Sequence, residues 1–321
     1  MSDLKTITLR GGVQMPSTSF GCAFGDWVGK GDFQGFLPEQ AWSALSQALD
    51  NGYRAFDGAH VYATEAILGS LLGTRFARGQ LQRGDLFVTT KLAHPRTPPE
   101  VNISHLRTWD ADAVDDVAQR VRDDFARTLD ELHLGYVDLL LVHWPGPFAN
   151  QDLELARRAR KTIWETFLEF QERGAARALG VSNFSVEHLQ QLQEDCPEHL
   201  PTVNQIEVHP YCRDPELEAY CRERGIVITA YAPFASGAFG LLQDPVLVEI
   251  AKAHQVSVGQ VVLRWHLQNG RTALPKTSKP SRMRQNQDLF GFALSDEQLA
   301  AIDALGAGEP RRTCPDPRAI V

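Results

Sequence analysis

Short apolar runs alternate with longer stretches of helical character along nearly the whole chain. Thr6 to Leu9 and Val13 to Met15 flank Arg10-Gly11-Gly12, and a Gly-Gly pair between two β-like runs predicts a tight hairpin. A strand over Ser17 to Cys22 follows, then a glycine-rich loop to Phe36. Pro38-Glu39-Gln40 opens a helix that runs to Asp50 and stops at Asn51-Gly52, with proline and an acid where a first turn tolerates them. Further strands are predicted at Tyr53 to Phe56, Leu86 to Thr90, Val137 to Val142, Ala178 to Val181, Thr202 to Ile206, Ile226 to Ala230 and Thr272 to Leu274. Between them lie helices at Thr64 to Phe76, Asp112 to Leu132, Leu153 to Arg173, Val186 to Gln193, Pro215 to Arg224, Pro245 to Ala253 and Val258 to Gln268, and Pro280 to Leu289 and Asp296 to Leu305 close the chain.

Strands that alternate with helices call for a parallel sheet, and eight such units predict an α/β fold of the closed (β/α)8 type, a TIM barrel with an N-terminal β-hairpin and an irregular C-terminal tail, in a single domain over residues 1–321. An open doubly wound sheet is the competing architecture, but G-x-G-x-x-G is missing after the first strand. Ala93 to Ala111 is too long and too rich in proline for an ordinary connection, and Gly306 to Val321 is irregular. Each either walls a pocket on the barrel rim or decorates the surface.

The chain of 321 residues is 43% apolar and can bury a large core. A formal charge of -8 argues against a sequence-independent nucleic-acid surface, which needs a basic excess. Five cysteines without C-x-x-C spacing fit neither a zinc site nor a secreted disulfide framework. No run approaches the length of a membrane span, and the N-terminus lacks an apolar signal core. A cytoplasmic monomer with no membrane and no nucleic-acid partner is expected. No metal is expected either, since H-E-x-x-H is missing among the ten histidines. Gly25 to Lys30 falls one residue short of a P-loop and lacks its hydroxyl.

Candidate chemistry gathers where strands end. Asp57, Lys91 and His143 each follow directly on a predicted strand, and Tyr62 lies just beyond Asp57. Together they answer one need. Hydride addition to a carbonyl makes an alkoxide that must be protonated, and a phenol with a pKa of about 10 is a poor acid for that. A neighbouring ammonium lowers that value toward the working pH. Lys91 would supply the charge, Asp57 would keep Lys91 protonated in an apolar barrel mouth, and His143 would donate to the carbonyl oxygen. Singly, each residue also reads as a structural ion pair, a packing tyrosine or a core histidine. A Y-x-x-x-K pair, which a short-chain dehydrogenase needs, follows none of the six tyrosines.

The chain resembles the aldo-keto reductases from its N-terminal hairpin to about Leu305, on Phe56-Asp57-Gly58-Ala59-His60-Val61-Tyr62-Ala63-Thr64-Glu65, Thr90-Lys91-Leu92, Leu141-Val142-His143-Trp144-Pro145 and Gly180-Val181-Ser182-Asn183-Phe184. Asn204-Gln205-Ile206-Glu207-Val208-His209-Pro210 and Leu274-Pro275-Lys276-Thr277 extend the match. The resemblance implies a catalytic tetrad of Asp57, Tyr62, Lys91 and His143, with Tyr62 as proton donor, and a carbonyl reductase that uses NADPH on aldehydes and some ketones. It implies that Ser182, Asn183 and Gln205 bind the nicotinamide carboxamide, that Tyr231 stacks on its ring, and that Ser236 and Leu241 approach the pyrophosphate. A regulatory barrel that binds NADPH with vestigial catalysis is the alternative.

Lys276-Thr277-Ser278-Lys279-Pro280-Ser281-Arg282 enters a helix after the eighth strand, where cations and hydroxyls suit a phosphate. The resemblance assigns Lys276, Thr277, Ser278, Arg282, Gln285 and Asn286 to the adenosine end. Gln285 stands where the family commonly has an acid, and Ala23 where it often has tryptophan. Trp144 is expected to wall the pocket for a small-molecule carbonyl substrate, with Phe24, Trp27, Val61 and Phe148. Loops this altered assign no particular substrate.

Overall fold

The computed structural model describes residues 5–24, 26–28, 32–34, 37–94, 116–146 and 152–320, with the side chains of 26–28 and 32–34 outside that description. Phe148, the Trp27 side chain, most of the proline-rich insertion and the start expected for its helix at Asp112 therefore lie outside the described residues.

The chain opens with β1 (Thr6–Thr8) and β2 (Gln14–Pro16), paired antiparallel as the Gly-Gly turn predicts. β3 (Phe20–Gly21) leads to β4 (Asp26–Val28) and β5 (Asp32–Gln34), a second antiparallel pair where only a loop was expected. The barrel units follow: α1 (Pro38–Asp50), β6 (Ala55–Asp57), α2 (Glu65–Ala77), β7 (Phe87–Leu92), α3 (Val117–Leu132), β8 (Val137–Val142), α4 (Leu153–Glu172) and β9 (Ala176–Ser182). Next come α5 (Val186–Asp195), β10 (Val203–Glu207), α6 (Pro215–Glu223), β11 (Val227–Tyr231), α7 (Pro245–His254), α8 (Val258–Gln268), β12 (Thr272–Ala273), α9 (Pro280–Gln285) and α10 (Asp296–Ala304).

Eight parallel strands pair in the order β12, β11, β10, β9, β8, β7, β6, β3, and a parallel bridge between Thr18 and Ala273 joins the two ends. Ser19 N donates to Ala273 O at 3.1 Å and Ala273 N to Ser17 O at 3.0 Å, which closes the ring. The fold is the (β/α)8 barrel with its N-terminal hairpin. The first and last strands keep only two residues each because the closure runs through this bridge rather than a long ladder. α9 stops short of Leu289: past Gln285 the backbone tightens into turns, with Gln287 N donating to Arg284 O at 3.1 Å and Leu289 N to Gln287 O at 3.1 Å, while the carbonyls of Asp288 and Leu289 accept from Gln260 Nε2 and Arg264 Nη1 on α8.

Strand alternation sorts the core into two layers. Ala55, Phe87, Leu139, Leu141, Ala178 and Val203 fill the barrel interior, joined by Leu9 and Met15 from the hairpin at its lower end. Their neighbours Phe56, Val88, Leu140, Val142, Leu179 and Ile206 face the surrounding helices. Inward positions therefore recur at every second residue up to the upper mouth. No single described helix is long and apolar enough to cross a membrane.

α2 and α3 approach closely at Gly69, where a Cβ would fall inside the Glu131 carbonyl oxygen and lie 2.8 Å from Leu132 C. Gly69→Ala is expected to cost about 1–3 kcal/mol, because backbone atoms cannot give way as a flexible side chain does. A urea midpoint shift with an unchanged slope checks this.

Candidate active site

Alternation past the packed layer brings Asp57, Lys91, His143, Ser182, Gln205 and Tyr231 to the inner face of the upper mouth. Lys91 Nζ forms a buried ion pair with Asp57 Oδ1 and donates to Gly58 O at 2.8 Å. Gln205 Nε2 donates to the other carboxylate oxygen at 2.8 Å. Only 1% of Lys91 and 4% of Asp57 is exposed, so the pair is withdrawn from solvent screening. Burial alone would favour loss of the lysine proton, yet Asp57 and then Tyr62 outweigh it and raise the Lys91 pKa above its ordinary value.

Tyr62 ends a 3-10 turn over His60–Tyr62, with the next residue, Ala63, in the left-handed region at φ 55°. Its ring centroid lies 5.1 Å from Lys91 Nζ and 5.6 Å from the His143 ring, which it meets edge-on at 83°. The expected lowering of its pKa is not what this form of the protein has. Burial raises the Tyr62 pKa and exceeds the opposing pull of Lys91, whose charge is already paired with Asp57. The phenol thus keeps its proton at neutral pH.

His143 is held well below the ordinary imidazole value, first by burial and then by His94 and Lys91. It is a neutral ring at neutral pH, with one N–H to donate. Its Nδ1 is buried without a hydrogen-bond partner. His94, which sequence reasoning passed over, packs edge-on against it with centroids 4.7 Å apart.

The residues expected at the nicotinamide are already knit together. Asn183 Nδ2 donates to His143 O at 3.0 Å and to Ser182 Oγ at 3.1 Å, while Tyr231 OH donates to Asn183 Oδ1 at 2.8 Å. Ser182 Oγ donates to Gln205 O at 2.8 Å. Asn183 takes φ 63°, a left-handed conformation that turns its amide across the mouth. Gln205 directs its amide donor to Asp57. The loop after β11 holds Ala232, Ala235 and Ser236 at φ between 47° and 51°, a strained run of the kind that collects at functional sites. Leu241 is buried in the core, so it can offer a ligand only backbone.

Lys276, Ser278, Arg282 and Gln285 are exposed, Thr277 is half-buried and Asn286 is buried. Lys276 Nζ donates to Ala23 O at 2.9 Å and lies 5.7 Å from the Phe24 ring. Phe24, Val61 and Trp144 are all buried, Phe24 in the core and Trp144 with its ring 6.2 Å from His94. The tail is tied down by Glu207, whose carboxylate accepts from Thr313 N at 2.7 Å, Thr313 Oγ1 at 2.6 Å and Cys314 N at 3.1 Å. This brings Cys314 into the fields of both Tyr62 and Tyr231. Among the described residues, no group of three or more His, Cys, Asp and Glu could hold a metal ion.

A model of the aldo/keto reductase family matches residues 23–307. The chain belongs to that family. This aldo/keto reductase is 35% identical over 312 residues to glyoxal reductase of Bacillus subtilis, covering 97% of this chain and 96% of that protein. It is 36% identical over 325 residues to morphine 6-dehydrogenase of Pseudomonas putida, covering 98% and 95%. An aldo-keto reductase of Bombyx mori, solved in complex with NADP, superposes with a TM-score of 0.76 at 30% identity over 94% of this chain and 92% of that one.

Removing one member of the ion pair leaves the other buried and uncompensated. Asp57→Asn is expected to destabilise the protein by about 3–5 kcal/mol, whereas Asp57→Asn with Lys91→Met recovers most of that loss. Equilibrium unfolding of both single variants and the double variant measures the coupling.

Proposed function

We propose that this aldo/keto reductase reduces aldehydes, and some ketones, to alcohols with NADPH, and that it does so as a cytoplasmic, monomeric, single-domain enzyme. The observation that carries the reading is the convergence of Tyr62, Lys91, Asp57 and His143 on one mouth, with the phenol protonated and the imidazole neutral. The free cysteines accord with a reducing compartment.

The donor set fits the cofactor. Ser182, Asn183, Gln205 and Tyr231 present amide, hydroxyl and aromatic groups to a carboxamide and its ring, while exposed Lys276 and Arg282 with Thr277 and Ser278 suit a phosphate. Ser236 and the Leu241 backbone would approach the pyrophosphate, and Gln285 and Asn286 the adenosine end. When bound, NADPH supplies the hydride for the carbonyl carbon. Tyr62 donates its hydroxyl proton to the carbonyl oxygen, and His143 donates a hydrogen bond to that oxygen and fixes its direction. Lys91 stabilises the phenolate left behind, and Asp57 keeps Lys91 charged. Trp144 would wall the substrate, with Val61, Phe24, Trp27 and Phe148 as further candidates. Relatives named for glyoxal and for morphine show how far substrates diverge over one frame.

Tyr62→Phe and Lys91→Met are each expected to lower kcat for aldehyde reduction by about 10²–10⁴, the range a general acid contributes, while NADPH binding persists. Loss of NADPH absorbance across an aldehyde panel gives the rates, and fluorescence titration gives the binding. Full activity in both variants would overturn the mechanism. Tight NADPH binding with no turnover of the wild type would favour a regulatory barrel.

A further inference from the structure

Tyr62 and Lys91 come from different elements, so beyond their own contact the gap between them depends on how each element is fastened. The helix-facing side of the barrel wall carries a buried polar network that fastens both. Glu65 stands just after the Tyr62 turn, at the start of α2, with only 2% of its surface exposed. Its Oε1 accepts from Thr90 Oγ1 at 2.5 Å and its Oε2 from Thr128 Oγ1 at 2.9 Å. Thr90 immediately precedes Lys91 on β7, so alternation sends its side chain outward to the helices while Lys91 points inward. Thr128 belongs to α3 and is fully buried.

His60 completes the set from the other side of Tyr62. Its Nδ1 lies 3.1 Å from Thr128 Oγ1. That hydroxyl directs its one proton at Glu65, so the imidazole must bring the proton between them and donate from Nδ1. The same nitrogen is 3.7 Å from Glu65 Oε2, and Nε2 is 3.6 Å from Asp124 Oδ1 on α3. Both residues that bracket Tyr62 are thus fastened to α3, and one of them is fastened directly to the residue beside Lys91. Stability alone would be served as well by apolar side chains of equal volume. A carboxylate with directed hydroxyl donors adds fixed distances.

We propose that Glu65, with Thr90, Thr128 and His60, is a positioning set that holds the Tyr62 phenol at its working distance from the Lys91 ammonium. The inference rests on the reading of Tyr62 and Lys91 as the proton-donating pair. Thr90→Val removes one tie without changing charge or volume. It should raise the pH at which Tyr62 ionises, because the phenolate loses part of the Lys91 field, and should lower kcat about 10–100-fold with KM and NADPH affinity unchanged. Glu65→Gln discriminates further: loss of a negative charge alone would make Tyr62 ionise at lower pH, whereas loosening makes it ionise at higher pH.

Ultraviolet difference titration of each variant against the same variant carrying Tyr62→Phe isolates the one phenol and needs no turnover. Thr90→Ser, which keeps the hydroxyl, should restore both the titration and kcat. Ser295→Ala, which removes the N-cap of α10, should lower thermal stability and move neither. If Thr90→Val does not fold, Thr128→Val cuts the next tie and carries the same expectation. A folded Thr90→Val or Thr128→Val with unchanged Tyr62 titration and unchanged kcat would overturn the proposal, as would a downward shift in Glu65→Gln. Failure of the wild type to reduce any aldehyde would count against the proposed reaction, while the Tyr62 titration would still decide the positioning set.

Discussion

A single ammonium held charged inside an apolar barrel is the constraint on which the site depends. An isolated lysine there would lose its proton to burial, and the mouth would then hold no field to stabilise a phenolate. Asp57 prevents this by direct pairing, and Gln205 and the Gly58 carbonyl satisfy the atoms that remain. The same arrangement explains why Tyr62 is not acidified. A paired charge acts weakly on its neighbours, and burial then dominates, so the phenol retains its proton.

The barrel makes that arrangement possible by geometry. Each strand shows alternate residues to the interior, so inward positions at or near the upper ends of six different strands meet at one mouth without any long-range sequence signal. The interior below is filled by aliphatic and aromatic side chains and sealed by Leu9 and Met15. Above, the tail is anchored to Glu207, two residues beyond Gln205 on the same strand. Outward positions of the same strands pack the helices, and Thr90 carries a polar tie among them.

Much of this was legible in the chain alone, for a physical reason: strand ends are marked by the change from apolar runs to titratable residues, so Asp57, Lys91 and His143 stood out. Other features were hidden because they depend on contacts between distant residues. Glu207 and Thr313 are 106 positions apart, and no local pattern announces their bond. The β4–β5 pair sits in a glycine-rich stretch whose composition reads as loop. Glu65 lay within the stretch that carried the resemblance, yet its bonds to Thr90 and Thr128 join distant residues. His94 follows an ordinary strand end, and only its edge-on contact with His143 marks it. The direction of the Tyr62 pKa was misread because a sequence shows the ammonium without showing how completely a carboxylate neutralises it.

The most direct measurement is the charge of Lys91 itself, read from the nitrogen resonance of its side chain at neutral pH in the wild type and in Asp57→Asn. A charged Lys91 in the wild type that becomes neutral, or titrates near neutrality, once Asp57 is removed is the expected result. A Lys91 that stays fully charged without Asp57 would contradict the account, because the charge that serves Tyr62 would then owe nothing to the pair.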